Sequence, residues 1–451
     1  MHENGKFVSR SLVLLGDIFF LNLGFVAAFY IRFLANIPAE NFPAYIQIAP
    51  WVSVIFVLLL KVYDLYNKQI KPKDEILFSL NISLFLTLVF GIVISFMLRA
   101  FEFPRSVLFI SFVFQFILLS LWRSVIADWD RRLFGAKEVV IIGSADEAHL
   151  FLRKLCVDKE NIYNPVGVLL TGGHFFAEGI FVGEEKDAEK ALLVINPDVM
   201  LICPSVIRER KKELASFCLA NYVQVMIVPD VYDIMLAQVK LEAMDDTMVF
   251  NIGGFAIPTR EAFLKRIMDV LVSFFALIVT SPILLVVAVL IKFDSKGPIF
   301  FIQERLGEGG KTFKLYKFRT MIIDAEKNTG PVLAEENDTR VTKFGSFMRR
   351  SRIDEFPQFI NVLKGDMSIV GPRPERAFFV ERFTSEMPEY AYRMRVKAGI
   401  TGLAQVEGKY DTTAEDKLRY DLLYAKKYSP FLDLRIILHT LKVVFMKGKA
   451  H

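Results

Sequence analysis

Residues 265–292 read Lys265-Arg-Ile-Met-Asp-Val-Leu-Val-Ser-Phe-Phe-Ala-Leu-Ile-Val-Thr-Ser-Pro-Ile-Leu-Leu-Val-Val-Ala-Val-Leu-Ile-Lys292. The stretch Val270–Ile291 carries no charge, and a helix crosses a bilayer with about 20 such residues. Cations stand on both sides of it: Arg260, Lys265 and Arg266 before, Lys292 and Lys296 after. A single crossing would put one of these clusters on the far side of the membrane, against the bias that holds Lys and Arg in the cytoplasm. Ser281-Pro282 falls near the midpoint. Proline removes a backbone donor and clashes with the carbonyl of Ile278, and a neighbouring serine hydroxyl can satisfy the freed group. The pattern predicts a re-entrant helix over 265–292, broken at Ser281 and Pro282, that enters and leaves on one face.

Upstream, four more apolar runs cover Ser11–Ile31, Tyr45–Leu60 extending towards Tyr66, Ile76–Leu98 and Ser106–Trp122. Together these runs explain why the chain is 53% hydrophobic with 43 Phe. That excess belongs to membrane segments and not to a larger soluble core. Lys6 and Arg10 precede the first run, Lys61, Lys68, Lys71 and Lys73 lie between the second and third, and Arg123, Arg131, Arg132 and Lys137 follow the fourth. Residues 36–43 hold no Lys or Arg. The charge bias then places the N-terminus, the second loop and everything after Trp122 in the cytoplasm, with Arg99 and Arg105 opposing weakly. Asp17 lies inside the first run and is expected to face the bundle, paired with an Arg or a backbone group.

From about Lys137 the pattern changes. Glu138–Gly143, Leu192–Asn196, Asp198–Cys203 and Val223–Val228 read as strands, and helical stretches such as Arg208–Ala220 lie between them. This alternation argues a doubly wound, Rossmann-like α/β domain. A dinucleotide loop wants G-x-G-x-x-G, but this chain has Gly143-Ser-Ala-Asp-Glu-Ala148. Asp146 and Glu147 put negative charge where a phosphate would sit, so the domain reads as a structural or regulatory module. Cys156, Cys203 and Cys218 have neither metal spacing nor a disulfide framework and read as reduced thiols. The division expected is a four-helix transmembrane bundle over 1–126, the Rossmann-like domain over 127–251 and a mostly α domain over 252–451.

The net charge of +5 is modest, and the basic residues gather at the ends of the apolar runs and near 305–352. That distribution suits anionic lipid headgroups and phosphorylated substrates, not nucleic acid. Within 300–408, Asp354 and Glu355 are adjacent carboxylates with Arg349, Arg350 and Arg352 beside them. Cationic neighbours keep a carboxylate ionised and nucleophilic. Pro372-Arg373-Pro374 fixes a backbone around an Arg fork suited to phosphate. Arg305, Lys311, Lys314, Lys317 and Arg319 outnumber Glu304 and Glu308 and make a second basic face. No His falls in these stretches, so His-based chemistry is unsupported.

Six stretches occur in order: Gln303-Glu-Arg-Leu-Gly307, Tyr316-Lys-Phe-Arg-Thr-Met321, Arg352-Ile-Asp-Glu-Phe-Pro-Gln358, Asn361-Val-Leu-Lys-Gly-Asp-Met-Ser368, Val370-Gly-Pro-Arg-Pro-Glu375 and Gly399-Ile-Thr-Gly-Leu-Ala-Gln-Val406. This set resembles the bacterial sugar transferase family, the monotopic phosphoglycosyl transferases, from about Thr259 onward. The bundle and degenerate nucleotide fold look like its large members. The resemblance implies an inner-membrane enzyme with its soluble parts on the cytoplasmic side. It implies transfer of a sugar-1-phosphate from a UDP-sugar, with a UDP-hexose as leading guess, to undecaprenyl phosphate with release of UMP. Asp354 is then the nucleophile of a covalent intermediate and a ligand of Mg²⁺, and Glu355 assists. Substrate contacts are expected from Arg373, Pro372, Pro374, Lys317, Arg319, Arg305, Arg352 and Gln405. Asp366 and Asp421 match acidic positions of the family and stand between catalytic support and structural ion pairing. Membrane lipids and a second copy of the chain are the expected partners. Many members carry Arg-Pro before the last stretch, where this chain has Lys397-Ala398, so a strict role for an Arg there is in doubt. The alternative is a membrane scaffold or regulator that has lost catalysis, against which the intact Asp354, Glu355 and Arg373 argue.

Overall fold

The computed structural model describes residues 10–34, 36–67, 72–156, 163–237, 239–322, 340–408 and 412–445. Lys6, Lys68 and Lys71 lie outside the described residues, as do the side chains of Arg131 and Cys156. The chain divides into two compact units, Met1–Val228 and Pro229–His451.

The first unit opens with four helices, α1 (Arg10–Phe33), α2 (Asn41–Val62), α3 (Lys73–Met97) and α4 (Arg105–Phe134). All are long and apolar enough to cross a bilayer. The buried seam of α1 includes Asp17, Leu21, Gly24 and Ala28, a spacing of four, three and four that suits left-handed helix packing. Small residues bring α1 close to α4: a Cβ on Gly24 would lie 2.5 Å from Gln115 Cγ, and the Gln115 amide donates to the Leu21 carbonyl at 3.0 Å. Asp17 is fully buried. Its carboxylate accepts from Arg123 Nε at 3.0 Å and from the Tyr66 hydroxyl at 2.8 Å. Arg123 also donates to the Leu65 carbonyl at 3.0 Å. The expected Arg partner of Asp17 is therefore present.

The same unit carries β1 (Lys137–Gly143), α5 (Ala145–Cys156), β2 (Tyr163–Leu170), β3 (Phe181–Glu184), α6 (Ala188–Ile195), β4 (Val199–Ile202), α7 (Arg208–Ala220) and β5 (Gln224–Ile227). The strands form a parallel sheet in the order β3-β2-β1-β4-β5. One expected strand, Leu192–Asn196, is instead the end of α6, closed by Asn196 in the left-handed region at φ +49°. Short apolar runs do not separate strand from helix, and Ala188, Ala191 and Leu192 bury one helical face. At the strand-order reversal between β1 and β4, Glu147 occupies the helix N-terminus itself. Its carboxylate accepts from the amides of Ser144 at 2.9 Å and Ser205 at 3.1 Å, and from the Ser205 hydroxyl. Burial alone would raise its pKa, but these bonds outweigh it and hold the carboxyl below its ordinary range. The donors that would cradle a phosphate are engaged by the chain's own carboxylate. Among the described residues, Cys203 and Cys218 are buried thiols outside any disulfide.

The second unit contains α8 (Val231–Leu236), the hairpin β6 (Lys240–Met244) and β7 (Thr247–Asn251), and α9 (Thr259–Asp294). It continues with the hairpin β8 (Phe300–Leu306) and β9 (Thr312–Phe318), α10 (Lys343–Arg350), α11 (Gln358–Lys364), β10 (Ser368–Val370) and α12 (Ala377–Glu386). β11 (Gly399–Thr401), α13 (Leu403–Glu407), α14 (Ala414–Lys426) and α15 (Pro430–Phe445) complete it. It begins earlier than the expected boundary at 251/252 because Ile234 of α8 shares a core with Phe255, Val380, Tyr390, Leu418 and Leu422. α9 is one continuous helix with Pro282 inside it, which corrects the expected break. The Ser281 hydroxyl donates to the Ile278 carbonyl at 2.7 Å, the group that proline leaves without its usual donor. The helix therefore runs through Pro282.

The Asp17–Arg123 pair gives a test of the bundle. Removing one partner of a buried ion pair costs about 3–5 kcal/mol, whereas removing both for apolar residues costs far less. Asp17→Ala should lower the unfolding midpoint of the detergent-solubilised protein, and adding Arg123→Leu should restore most of it. An unchanged midpoint in the single variant would show that the pair does not hold the bundle.

Candidate active site

α10 ends at Arg350, and the chain turns through Arg352 at φ +53°. That is the left-handed position that closes many helices and that glycine usually fills. Here the residue carries a guanidinium that reaches Glu355 at 3.7 Å. A single 3₁₀ turn, Ile353–Glu355, follows, and Pro357 leads into α11. This turn buries both adjacent carboxylates, leaving Asp354 8% and Glu355 9% exposed.

The two carboxylates have different surroundings. Glu355 Oε1 accepts from Lys317 Nζ and from an Arg373 guanidinium nitrogen, both at 2.9 Å. Burial would raise its pKa, but Arg373, Lys317 and Arg352 outweigh burial and hold it well below the usual carboxylate range. Among the described residues Asp354 accepts no hydrogen bond. Its burial, and then the negative charge of Glu355, push it up to about 6 against the nearby charges of Lys317, Arg349 and Arg373. A coupled pair whose members are driven apart in this way divides its roles. Glu355 gathers the cations, and among the described residues the Asp354 oxygens accept no hydrogen bond.

Arg373 reaches Glu355 because its backbone is held at several points. Arg393 donates to the Arg373 carbonyl at 3.0 Å, and Arg305 to the Pro374 carbonyl at 3.2 Å. The Gly399 amide donates to the Pro372 carbonyl and the Gly371 amide to the Thr401 carbonyl, each at 2.8 Å. The glycines permit this approach. A Cβ at Gly371 would lie 2.2 Å from the Lys397 carbonyl oxygen, and one at Gly399 would lie 2.1 Å from the Gly371 nitrogen. Two separate sequence stretches, 370–375 and 399–406, are thus one piece of structure. A small polar cleft beside them is lined by Arg305, Lys317, Gln358, Arg373 and Pro374 among others.

Asp354, Glu355, Lys317, Arg352 and Arg373 therefore come together, with Arg305 and the two prolines behind Arg373. Others lie elsewhere. Asp421 pairs with Arg393 Nε at 2.9 Å. Burial pushes Asp421 up to about 6 despite Arg393, so it supports the Arg373 turn through an ion pair. Asp366 accepts from Asn361 at 3.3 Å, and the fully buried Asn361 ties α11 to β9 through the Tyr316 amide and the Lys314 carbonyl. Arg319 donates to Ser295 at the end of α9, with 2.7 Å to its carbonyl and 2.9 Å to its hydroxyl. Gln405 donates to the Ile400 carbonyl at 3.1 Å. Lys397 donates to the Gly365 carbonyl at 3.0 Å, a single bond that needs no Arg fork. Sequence reasoning missed Arg393 and Gln358. Nothing in one sequence separates Arg393 from its neighbour Arg395, because only its burial and its Asp421 partner mark it. A larger, mainly apolar cavity between α13, α14 and α15 has none of the carboxylate cluster in its walls. Among the described residues no group of three or more His, Cys, Asp or Glu is arranged to hold a metal. A cation here would have the Asp354 carboxylate and would draw its other ligands from substrate and water, which is how Mg²⁺ is usually held at phosphates.

Residues 260–447 match the family model described as bacterial sugar transferase. The UDP-N-acetylgalactosamine-undecaprenyl-phosphate N-acetylgalactosaminephosphotransferase of Aeromonas hydrophila is 40% identical over 230 residues, covering 50% of this chain and 53% of that protein. The UDP-glucose:undecaprenyl-phosphate glucose-1-phosphate transferase of Klebsiella pneumoniae is 41% identical over 232 residues, covering 50% of each chain. The exopolysaccharide production protein PSS of Rhizobium leguminosarum bv. phaseoli is 40% identical over 195 residues, covering 42% of this chain and 98% of that protein. The chain spans about half the length of the first two of these relatives. With six ordered motifs, a matching family model and a relative aligned over nearly its whole length, the chain belongs to the bacterial sugar transferase family.

Proposed function

We propose that the protein transfers a sugar-1-phosphate from a UDP-sugar, a UDP-hexose being the favoured donor, to undecaprenyl phosphate in the bacterial inner membrane. This would be a first membrane step in assembling an exopolysaccharide, O-antigen or capsule repeat unit. The observation that carries the reading is the divided carboxylate pair: Glu355 is bonded to Lys317 and Arg373, and Asp354 beside it accepts no hydrogen bond among the described residues. In this reading an Asp354 oxygen attacks the β-phosphorus of the UDP-sugar. The bond from that phosphorus to the bridging oxygen breaks, UMP leaves with the bridging oxygen, and an aspartyl-phosphosugar remains. A phosphate oxygen of undecaprenyl phosphate then attacks the same phosphorus and frees Asp354. Lys317, Arg349 and Arg373 offset the charge on the diphosphate, and positioning with charge neutralisation is most of what phosphoryl transfer needs. Mg²⁺ held by Asp354 and by substrate oxygens would supply further neutralisation. The relatives' names divide between N-acetylgalactosamine and glucose donors, and a panel of UDP-sugars scored by UMP release chooses between them.

We also read α9 as re-entrant and the four N-terminal helices as spans that leave both soluble regions in the cytoplasm. A helix of 36 residues would be about 54 Å long if straight, so re-entry needs it to bend, and Pro282 is where a bend costs least. Both of its ends pack on the second unit. Near its start, Arg266 donates to the Val362 and Leu363 carbonyls at 2.6 and 2.8 Å. Near its finish, Val287 and Ile291 pack with Phe318 and Met348. Phe274, Phe275, Ile278, Val279, Ile283 and Leu285 between them are exposed, which suits contact with lipid. A helix with both ends on one soluble body supports entry and exit on one face.

Asp354→Asn should express normally and abolish UMP release. Intact-protein mass spectrometry with UDP-sugar and no lipid should show a phosphosugar adduct on the wild type alone. Wild-type turnover by the variant would sink the nucleophile assignment. Excess EDTA should stop turnover and Mg²⁺ should restore it, while full activity in EDTA would remove the metal from the mechanism. For topology, single cysteines replacing the exposed Arg260 and Lys296, in a variant without Cys156, Cys203 and Cys218, should both label with an impermeant thiol reagent in inverted vesicles. Both should be shielded in right-side-out vesicles, and opposite accessibility would show a true span.

A further inference from the structure

We propose that Lys265, together with its helix neighbours Arg266 and Asp269, positions the Arg373 turn and the segment after Asp354–Glu355, so that α9 is part of the active-site framework as well as a lipid-facing helix. The proposal rests on the transfer reaction put forward above and assigns these residues a positioning role in it.

Lys265 is 6% exposed, and its ammonium has three donors. One goes to Asp433 at 2.6 Å, one to the Tyr424 hydroxyl at 3.0 Å and one to the Val370 carbonyl at 2.9 Å. The Tyr424 hydroxyl in turn donates to Asp433 at 2.7 Å. The rings of Tyr424 and Tyr428 lie 5.7 and 5.4 Å from the same nitrogen. Every donor of the buried cation is therefore used, and one of them holds the residue immediately before Gly371-Pro372-Arg373.

Its neighbours hold the adjoining backbone. One turn along the helix, Asp269 is 2% exposed and accepts from the Ile369 amide at 2.9 Å and the Ser368 hydroxyl at 3.0 Å. These bonds fix β10, the strand that delivers Arg373. Arg266 caps the last carbonyls of α11, the helix that follows the carboxylate turn. Residues 265–269 of α9 thus grip both segments whose relative placement sets the Arg373–Glu355 contact.

Packing alone would not need this arrangement. Well-packed apolar residues usually serve a buried site at least as well as an ion pair. A cation that satisfies one carbonyl at one angle defines where that carbonyl sits, which grease does not. Arg373 is the residue at stake, because a displacement of about 1 Å at a positioning group can cost on the order of 100-fold in rate.

The test uses the full chain in nanodiscs with undecaprenyl phosphate. Lys265→Met leaves Asp433 unpaired, so Lys265→Met/Asp433→Leu is made alongside it to recover stability. In both variants kcat/KM for the UDP-sugar should fall on the order of 100-fold, mainly through KM, while KM for undecaprenyl phosphate stays at the wild-type value. A merely structural loss would reduce the active fraction and leave both KM values alone. Hydrogen exchange at the Gly371 amide, which bonds to the Thr401 carbonyl, should quicken in both variants without substrate. Wild-type KM for the UDP-sugar in the stable double variant, or unchanged exchange at Gly371, overturns the positioning role. Failure of the reaction itself reads differently: the wild type would release no UMP from any UDP-sugar, while the exchange measurement would still report on Gly371.

Discussion

The buried carboxylate of Glu355 is the interaction on which the candidate site depends. It joins the β9 hairpin through Lys317, the 3₁₀ turn through Arg352 and the proline-flanked turn through Arg373. A carboxylate with this little exposure is tolerable only if its charge is matched and its lone pairs are used. The three cations meet that condition, and two of them, Lys317 and Arg373, are thereby also brought near Asp354. Their positive charge then also acts on the neighbour, Asp354, which accepts no hydrogen bond among the described residues. The same cluster is what the proposed transfer would draw on, with one carboxylate to attack phosphorus and cations to receive an anionic diphosphate.

That cluster is held in place by backbone packed unusually close. Gly371, Gly399 and Gly402 meet where a Cβ on any of them would overlap main-chain atoms within 2.2 Å. The parallel pair β10–β11 is only a few residues long and could not stand alone. It is stabilised from one side by Arg393 and Asp421 and from the other by Asp269 and Lys265. Buried charge is costly, and here it fixes main-chain carbonyls and amides beside the carboxylate pair.

The apolar helices follow a different logic. On α1 to α4 most large side chains face outward and the polar ones turn inward to partners, as Asp17 does to Arg123 and Tyr66. On α9 the buried charged residues Lys265 and Asp269 lie near its start, and Phe274, Phe275 and Val279 in its middle are exposed. The α/β region answers to ordinary soluble packing, and its one departure is Glu147, which holds the anion position of its own fold.

The sequence by itself determined the elements whose signals are local. Long apolar runs marked α1, α2, α3, α4 and α9, since no soluble core needs 20 or so consecutive apolar residues. Alternating strand and helix patterns marked the parallel sheet, and the Asp-Glu pair among arginines marked the candidate site. Where a local signal was ambiguous the reading failed: Leu192–Asn196 has too few residues to tell a strand from a helix end. Pro282 breaks a helix by rule, yet a serine hydroxyl one residue away satisfies the exposed carbonyl. Only the tertiary structure decided which charges meet. Lys317, Glu355 and Arg373 are separated by 38 and 18 positions, and Lys265 reaches a carbonyl 105 positions away. Which of two adjacent carboxylates is saturated, and whether Asp421 or Arg319 faces the site, depends on burial and partners. A linear pattern records residue type and spacing, but burial and partner choice are properties of the folded chain.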